Sequence, residues 1–393
     1  MFDAFGRLRT CEPQSLFDSK LLLNAAPHLW DDQQTSGTGT SSTHSRLRAS
    51  VTMGVSNLTA GTRTRQSKKW FDYQPAKSQL INMTFVMGAA ATGITRRLGY
   101  FNTNNGIFLE QTATALSFVI RTWISGTPSD ADRVAQSAWN VDKLDGTGPS
   151  GITLDITKAQ ILYIDLEWLG VGRVRCGFVM NGLLVVCHDF NNANVQAGVY
   201  MGSPNLPLRY SISNDGTGPA AALEAICGAV MSEGGRSEIG YERSVSRMNN
   251  PLINPNDTNI RPVIAIRLNG SYLGAQVKIT DMHLACTTNS PFNWYWLENP
   301  TITGGTLSFQ AINSSAVEAD FMSSGTLVVT STGTQIKAGA ATAADEFNLQ
   351  STSEMQLGSF LNGASDIWVL AVQRLSSASE TYYGAVSWRE TGA

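Results

Sequence analysis

Apolar and polar positions alternate in short runs along most of this chain. The clearest instance is Asp165 to Phe190, DLEWLGVGRVRCGFVMNGLLVVCHDF. Two runs rich in Val, Leu, Phe and Cys flank Asn181-Gly182. Asn-Gly supplies the two positive φ angles of a type I′ turn, whose twist matches that of paired antiparallel strands. The pattern predicts a β-hairpin with its register fixed by the turn. Similar strand-like runs recur at 48–56, 79–87, 106–110, 115–124, 161–168, 173–180, 183–190, 208–213, 223–232, 261–268 and 276–286. Turn residues separate them, including Asn104-Asn105-Gly106, Asp145-Gly146, Asn214-Asp215-Gly216 and Asn269-Gly270. That many strands would over-twist as one open sheet, so a two-sheet sandwich over residues 46–290 is the expected body. Asp-Gly-Thr-Gly-Pro occurs at 145–149 and again at 215–219 in unmatched surroundings, which reads as two turns of similar chemistry.

The two ends follow other patterns. Residues 1–34 are interrupted by Pro13 and Pro27, and their apolar residues keep neither a helical nor a strand period. Such a segment forms no core of its own, yet it is too apolar to float in water. It is expected to be an extended docking arm whose Phe2, Phe5, Leu8, Leu16, Phe17 and Trp30 pack mainly on a neighbouring chain. Thr35–Thr43, TSGTGTSST, reads as a flexible loop, so that arm and loop together span 1–45. Composition shifts again around Pro291–Pro300. Residues 291–393 are acidic and rich in Ser, Thr, Gly and Ala, and read as a small C-terminal β-domain. Its clearest element is a terminal hairpin of Ile367–Leu375 and Thr381–Glu390 around a Ser376–Glu380 loop.

Composition supports this picture. Of 393 residues 42% are hydrophobic, enough for one large core and a smaller one, and only 15% are charged, against roughly 25% in typical globular chains. The net charge of −3 hides an asymmetry. Residues 1–100 hold twelve Lys/Arg against six Asp/Glu, whereas residues 291–393 hold three against nine. Ends of opposite sign could dock between copies or stand as separate solvated surfaces. The basic residues are scattered, so nucleic acid is not an expected partner. No run approaches the roughly 20 apolar residues that span a bilayer, and membrane insertion is not expected. The start, MFDAFGRLR, lacks the apolar core of a signal peptide. Five cysteines, at 11, 176, 187, 227 and 286, form no CxxC pair and read as buried free thiols of a protein made in a reducing cytoplasm.

Candidate chemistry is sparse. His188-Asp189 follows the hairpin, and Asp165 and Glu167 share one face of the strand before it. A His with two carboxylates suits metal binding or acid–base work, and a carboxylate pair in a groove suits a glycan depolymerase. The alternative is hydrogen-bonded partners at a sheet edge. Asn214 and Asp215 suit either a Ca²⁺ loop or a plain turn. Asp215-Gly216-Thr217-Gly218 lacks the Thr/Ser that an aspartic-protease triplet needs, and no GxSxG elbow, phosphate loop or dinucleotide fingerprint occurs. No cofactor is expected. Trp30, Trp70, Tyr100, Trp294 and Trp296 are candidates for stacking on sugar rings, with Trp294 and Trp296 foremost; as core residues they would be hidden.

Several stretches carry a family resemblance. DAFGRLRTCEPQSLFDSK at 3–20, GITRRLGYFNTNNGIF at 93–108, EWLGVGRVRCGF at 167–178, CHDFNNAN at 187–194, YSISNDGTG at 210–218 and MSEGG at 231–235 resemble a group of structural proteins of tailed bacteriophages. The resemblance covers most of residues 1–290 and not the section after about 295. It implies a non-enzymatic virion component made in the host cytoplasm and released by lysis. The expected position is tail, baseplate or fibre, with capsid decoration or head fibre as the alternative. Other virion proteins are then the partners, with further copies of the chain (a trimer suits a fibre) and, in a receptor-binding role, a host-surface glycan. It supplies no catalytic residues. The strand–Asn-Gly–strand signature also resembles concanavalin-like jelly rolls.

Overall fold

The computed structural model of the chain describes residues 12–391 except 236, 238, 255–256, 288–289, 324, 343, 349–354 and 376–378. The fold is all-β. Helical turns among these residues are confined to two 3₁₀ segments, Gln136–Ala138 and Gly270–Tyr272. The chain divides into two compact units, Met1–Ser237 and Glu238–Ala393.

The first unit is a jelly-roll, concanavalin-like sandwich of two antiparallel sheets. Its strands are β1 Pro13–Lys20, β2 Trp30–Gly37, β3 Thr40–Ser45, β4 Ser50–Val55, β5 Gly61–Ser67, β6 Ser78–Val86, β7 Ile94–Phe101, β8 Gly106–Gln111, β9 Leu116–Thr122 and β10 Ser129–Ala135. They continue with β11 Ala159–Leu166, β12 Val174–Met180, β13 Leu183–Phe190, β14 Leu208–Asn214 and β15 Ala221–Glu233. An eight-stranded sheet runs β13-β12-β11-β6-β15-β4-β3, with β1 beside the second half of β15. A seven-stranded sheet runs β10-β9-β8-β7-β14-β5-β2. The chain crosses repeatedly between the sheets, so strands such as β6 and β15, or β7 and β14, pair across long stretches of sequence. Alternation aims the core. On β6, Gln79, Ile81, Met83 and Phe85 point inward. Ile81, Met83 and Phe85 share one cluster with Ile94, Leu98 and Tyr100 of β7, Ile107 and Leu109 of β8, and Tyr210 and Ile212 of β14.

The Asn-Gly hairpin forms as predicted. β12 and β13 pair through Met180 and Leu183, and Asn181 and Gly182 take φ of 51° and 79°. The N-terminal expectation needs correction. Residues 13–45 are not an arm and a loop but the strands β1, β2 and β3 of the chain's own sandwich. The reason lies in β15, which β4 covers only from Ala221 to Ala225; β1 pairs with the remaining edge from Cys227 to Glu233. Phe17 and Trp30 join the core, 6% and 4% exposed, and Leu16 packs partly against it. Phe2, Phe5 and Leu8 lie outside the described residues. In TSGTGTSST the β-prone Thr and Ser continue β2 and open β3, and the chain switches sheets between Gly37 and Thr40.

The second unit begins at 238, not at 291. Ile260–Leu268 pairs with Trp368–Arg374, and Gln276–Cys286 pairs with Glu380–Thr391. Pairings that span about a hundred residues set this boundary, and a local shift in composition does not report them. The unit holds a five-stranded sheet around Gln276–Cys286 and Glu380–Thr391, and a six-stranded sheet around Ile260–Leu268, Trp368–Arg374 and Pro291–Glu298. Both sheets contribute to a core that includes Trp296, Trp388, Phe292 and Leu370, while Ala265, Leu297, Val369 and Ala371 form a second cluster. The predicted terminal hairpin is therefore a pair of true strands that do not pair with each other; each enters a different sheet.

Candidate functional site

Of the carboxylates singled out in the sequence, Asp165 is held in an ion pair and Glu167 is exposed. Asp165, on β11, forms an ion pair with Arg175 on the neighbouring β12. Burial raises its carboxyl above the ordinary value, and Arg175 partly offsets that rise. Glu167 lies past the end of β11, where its backbone N–H donates to the Arg173 carbonyl at 3.1 Å. His188 is buried, edge-on to Phe190 at 4.4 Å, and its Nδ1 accepts the Asn140 N–H at 3.3 Å. Asp189 sits 3.8 Å from Arg173. These four residues serve sheet edge and hairpin, and among the described residues no three His, Cys, Asp or Glu side chains cluster to hold a metal.

The two Asp-Gly-Thr-Gly-Pro segments are turns of the same design. Asp215 Oδ1 accepts the Thr217 N–H and hydroxyl at 2.9 and 2.7 Å, and Asp145 does the same for Thr147 at 2.9 and 2.6 Å. Asn214 takes the Gly216 and Gly218 N–H groups on Oδ1, so its acceptor faces backbone. Among the cysteines Cys176 and Cys187 are buried free thiols as expected, whereas Cys227 is exposed.

Four of the five proposed stacking aromatics are hidden, which corrects that expectation for them, while Trp70 is half-buried. Trp296 has no exposure and Trp294 has 8%, because both sit in the core of the second unit. Trp30 is held inside by Phe17, edge-on at 5.6 Å, and donates to the Ser19 hydroxyl at 2.7 Å. Tyr100 is buried, its hydroxyl 3.0 Å from the Phe71 and Pro204 carbonyls.

Sequence reasoning missed the densest chemistry of the first unit, on the outer face of the seven-stranded sheet. Cross-strand register builds it. One row reads Asp31, Gln66, Arg209, Gly99, Phe108, Val119, Arg133 from β2 to β10. The next reads Gln33, Thr64, Ser211, Arg97, Glu110, Ser117, Ala135. Phe101 and Arg121 follow in a third row, joined through Gly106. Phe101 and Phe108 pack with ring centroids 4.6 Å apart, tilted by 37°, and with Val119 form an apolar cluster separate from the main core. Guanidiniums roof it: Arg209 lies 5.3 Å from the Phe101 ring, and Arg121 and Arg97 lie 5.2 and 5.9 Å from Phe108. Gly99 permits this closure, since a Cβ there would lie 2.4 Å from the Ile107 carbonyl oxygen and 2.8 Å from the Phe108 Cβ.

Carboxylates tie most of these cations. Glu110 takes Arg97 at 2.6 Å and also Arg133. Asp130 takes Arg121 at 2.7 Å and Arg133 at 3.4 Å. Arg209 differs, because its Nε and Nη2 both donate to the neutral Oε1 of Gln66. Burial, with some help from Arg121, pushes the Arg209 pKa down to about 10, so it stays charged at neutral pH without a carboxylate partner. Beside it a strip of hydroxyls, Thr35, Thr64 and Ser211, runs at contact distances of 3.1 and 3.4 Å, flanked by half-buried Thr62, Thr95 and Ser213. The face offers donors and positive charge, and can hold a polar anionic ligand.

No protein-family model and no curated protein matches the chain. Among solved structures it is similar to the carbohydrate recognition domain of Emp47p, at 11% identity over 57% of this chain and 98% of that one, with a TM-score of 0.34. It is similar to the Bacillus licheniformis beta-glucanase at 11% identity, over 58% of this chain and all of that one, TM-score 0.35. It is also similar to the CBM2 module of the evolved Dit of Lactobacillus casei BL23 phage J-1, at 6% identity over 58% of this chain and all of that one, TM-score 0.38. These likenesses concern fold.

Proposed function

We propose that this chain is a non-enzymatic structural component of a tailed-phage virion, associated with tail, baseplate or fibre, and that its first unit is a rigid binding module. The observation that carries the reading is the contrast within that unit. The carboxylate best placed for catalysis, Asp165, is engaged by Arg175, while hydroxyls and the guanidinium of Arg209, held by the neutral Gln66, share one sheet face. Binding, not turnover, suits that distribution. The stretches that resemble tailed-phage structural proteins support it, since Arg97, Phe101 and Phe108 all fall within 93–108. A capsid-decoration or head-fibre position is the second reading, for which the same face would grip the particle instead of the host.

Gold-labelled antibody to the chain, applied to purified particles, tests the placement. Label at the tail or its tip is expected; label confined to the head favours the second reading, and its absence from particles removes both. Release of reducing ends from polysaccharides by the purified chain, lost in Asp165→Asn, would refute the non-enzymatic part.

A further inference from the structure

We infer that the outer face of the seven-stranded sheet binds an acidic saccharide, with Arg209 and Arg97 holding its anionic groups and the adjoining half-buried hydroxyls of Thr62, Ser211 and Ser213 holding its hydroxyls. This deepens the binding reading above by naming the ligand class.

Charge gives the first argument. Arg209 and Arg97 are diagonal neighbours on β14 and β7, since Arg209 pairs with Gly99 and Arg97 with Ser211. Arg97 bonds Glu110 through Nε and is about one-third exposed; among the described residues Arg209 bonds Gln66 and no carboxylate. Planar guanidiniums suit carboxylate or phosphate oxygens. Of the four arginines here, three pair with Glu110 or Asp130, and Asp31 lies next beyond Gln66, where Gln33 donates to it at 2.8 Å.

The apolar part gives the second. Phe101 and Phe108 are 2% and 0% exposed beneath the guanidiniums. This aromatic pair offers a nucleic acid no open ring on which to stack bases, and a protein partner no open apolar anchor. The face is a pleated sheet with hydroxyls and guanidiniums on successive strands. Its donors and acceptors suit a ligand rich in hydroxyls that also carries charge. The aromatic pair acts from beneath, holding the guanidiniums in place before the ligand arrives.

The test uses the full chain immobilised against four soluble polymers: polygalacturonate for carboxylate, phosphomannan for phosphate, neutral dextran, and polyglutamate as an anion without sugar. Binding of polygalacturonate or phosphomannan is expected, which one of them naming the anion, with dextran and polyglutamate at least tenfold weaker. Arg209→Gln and Arg97→Gln should each weaken the bound polymer tenfold or more. Ser211→Tyr, which keeps every arginine and blocks the half-buried hydroxyl strip, should do the same with an unchanged circular dichroism spectrum. Equal binding of polyglutamate, equal binding of dextran, no binding of either acidic polysaccharide, or full affinity in Ser211→Tyr would overturn the inference. Particle labelling is read separately, so failure here leaves the virion placement standing.

Discussion

Phe17 decides whether the N-terminal segment belongs to its own chain or to a neighbour. Its ring lies edge-on to Trp30 at 5.6 Å and 5.2 Å from Phe71, at 6% exposure. Phe17→Ala removes a buried aromatic from a packed site, which costs about 4 kcal/mol, within the range for such truncations. Lost aromatic contacts are contained in that figure. A unit of this size unfolds in urea with a slope of about 3 kcal/mol per molar, so the midpoint of its transition should fall by about 1.3 M. The transition of the second unit should stay where it is, an internal control in the same titration. Leu23→Ala, at a site 76% exposed, should shift neither transition beyond about 0.5 kcal/mol. The assay is equilibrium urea unfolding followed by tryptophan fluorescence at two protein concentrations. Suppose the segment docked on another copy. The wild-type midpoint would then rise with concentration, and Phe17→Ala would have little effect in dilute solution. That result would refute the intramolecular packing of β1.

Three further expectations follow from particular residues. Burial holds the His188 ring below its ordinary pKa of 6.5, against a smaller upward pull from Asp189. The unfolded chain therefore takes up that proton first, and this contribution to stability is full above 6.5 and lost as pH falls below it. Protonated Nδ1 would also confront the Asn140 N–H as a second donor; His188→Gln should flatten the change in urea midpoint between pH 7.5 and 5.5, and an unchanged slope would contradict the assignment. Gly182→Ala places an L side chain at φ 79° where nothing lies within 4 Å, so the strain is in the backbone alone. It should cost about 1 kcal/mol by thermal or chemical unfolding, and a neutral result would mean the turn is not type I′. Residues 238–393, expressed alone, should give a cooperative melt and dispersed amide signals, because the unit has its own core around Trp296 and Trp388; a molten fragment would count against two independent units.

Strand positions were legible because alternation is a local property. The run 183–190 and the run 276–286 coincide with observed strands, and the others agree within a few residues. Asn181-Gly182 was legible for the same reason: positive φ at two successive residues is a demand of local sterics that few dipeptides meet. The strands the pattern missed are instructive. In β7, ITRRLGYF, the inward Arg96 breaks the alternation, and only its bonds to the Ala89 and Ala222 carbonyls and to Gln111 make it a core residue. In β1 the Phe17 that looked stranded finds its shelter at the edge of β15, more than two hundred residues away.

The candidate site was not legible at all. Arg97, Arg121, Arg133 and Arg209 come from four strands scattered over more than a hundred residues, and each alone reads as an ordinary solvated cation. Sheet register brings them over Phe101 and Phe108, and register across β7, β8, β9, β10 and β14 is a property of the whole sandwich. Trp30, Trp294 and Trp296 failed as stacking candidates for the complementary reason: sequence gives an indole but not which side of a sheet is covered. Residue type, alternation and turn chemistry by themselves determined an all-β chain with its strands and its sharpest hairpin. Only tertiary structure decided which strands pair, where the first unit ends, and which polar side chains meet, because those depend on contacts whose partners are separated by most of the chain.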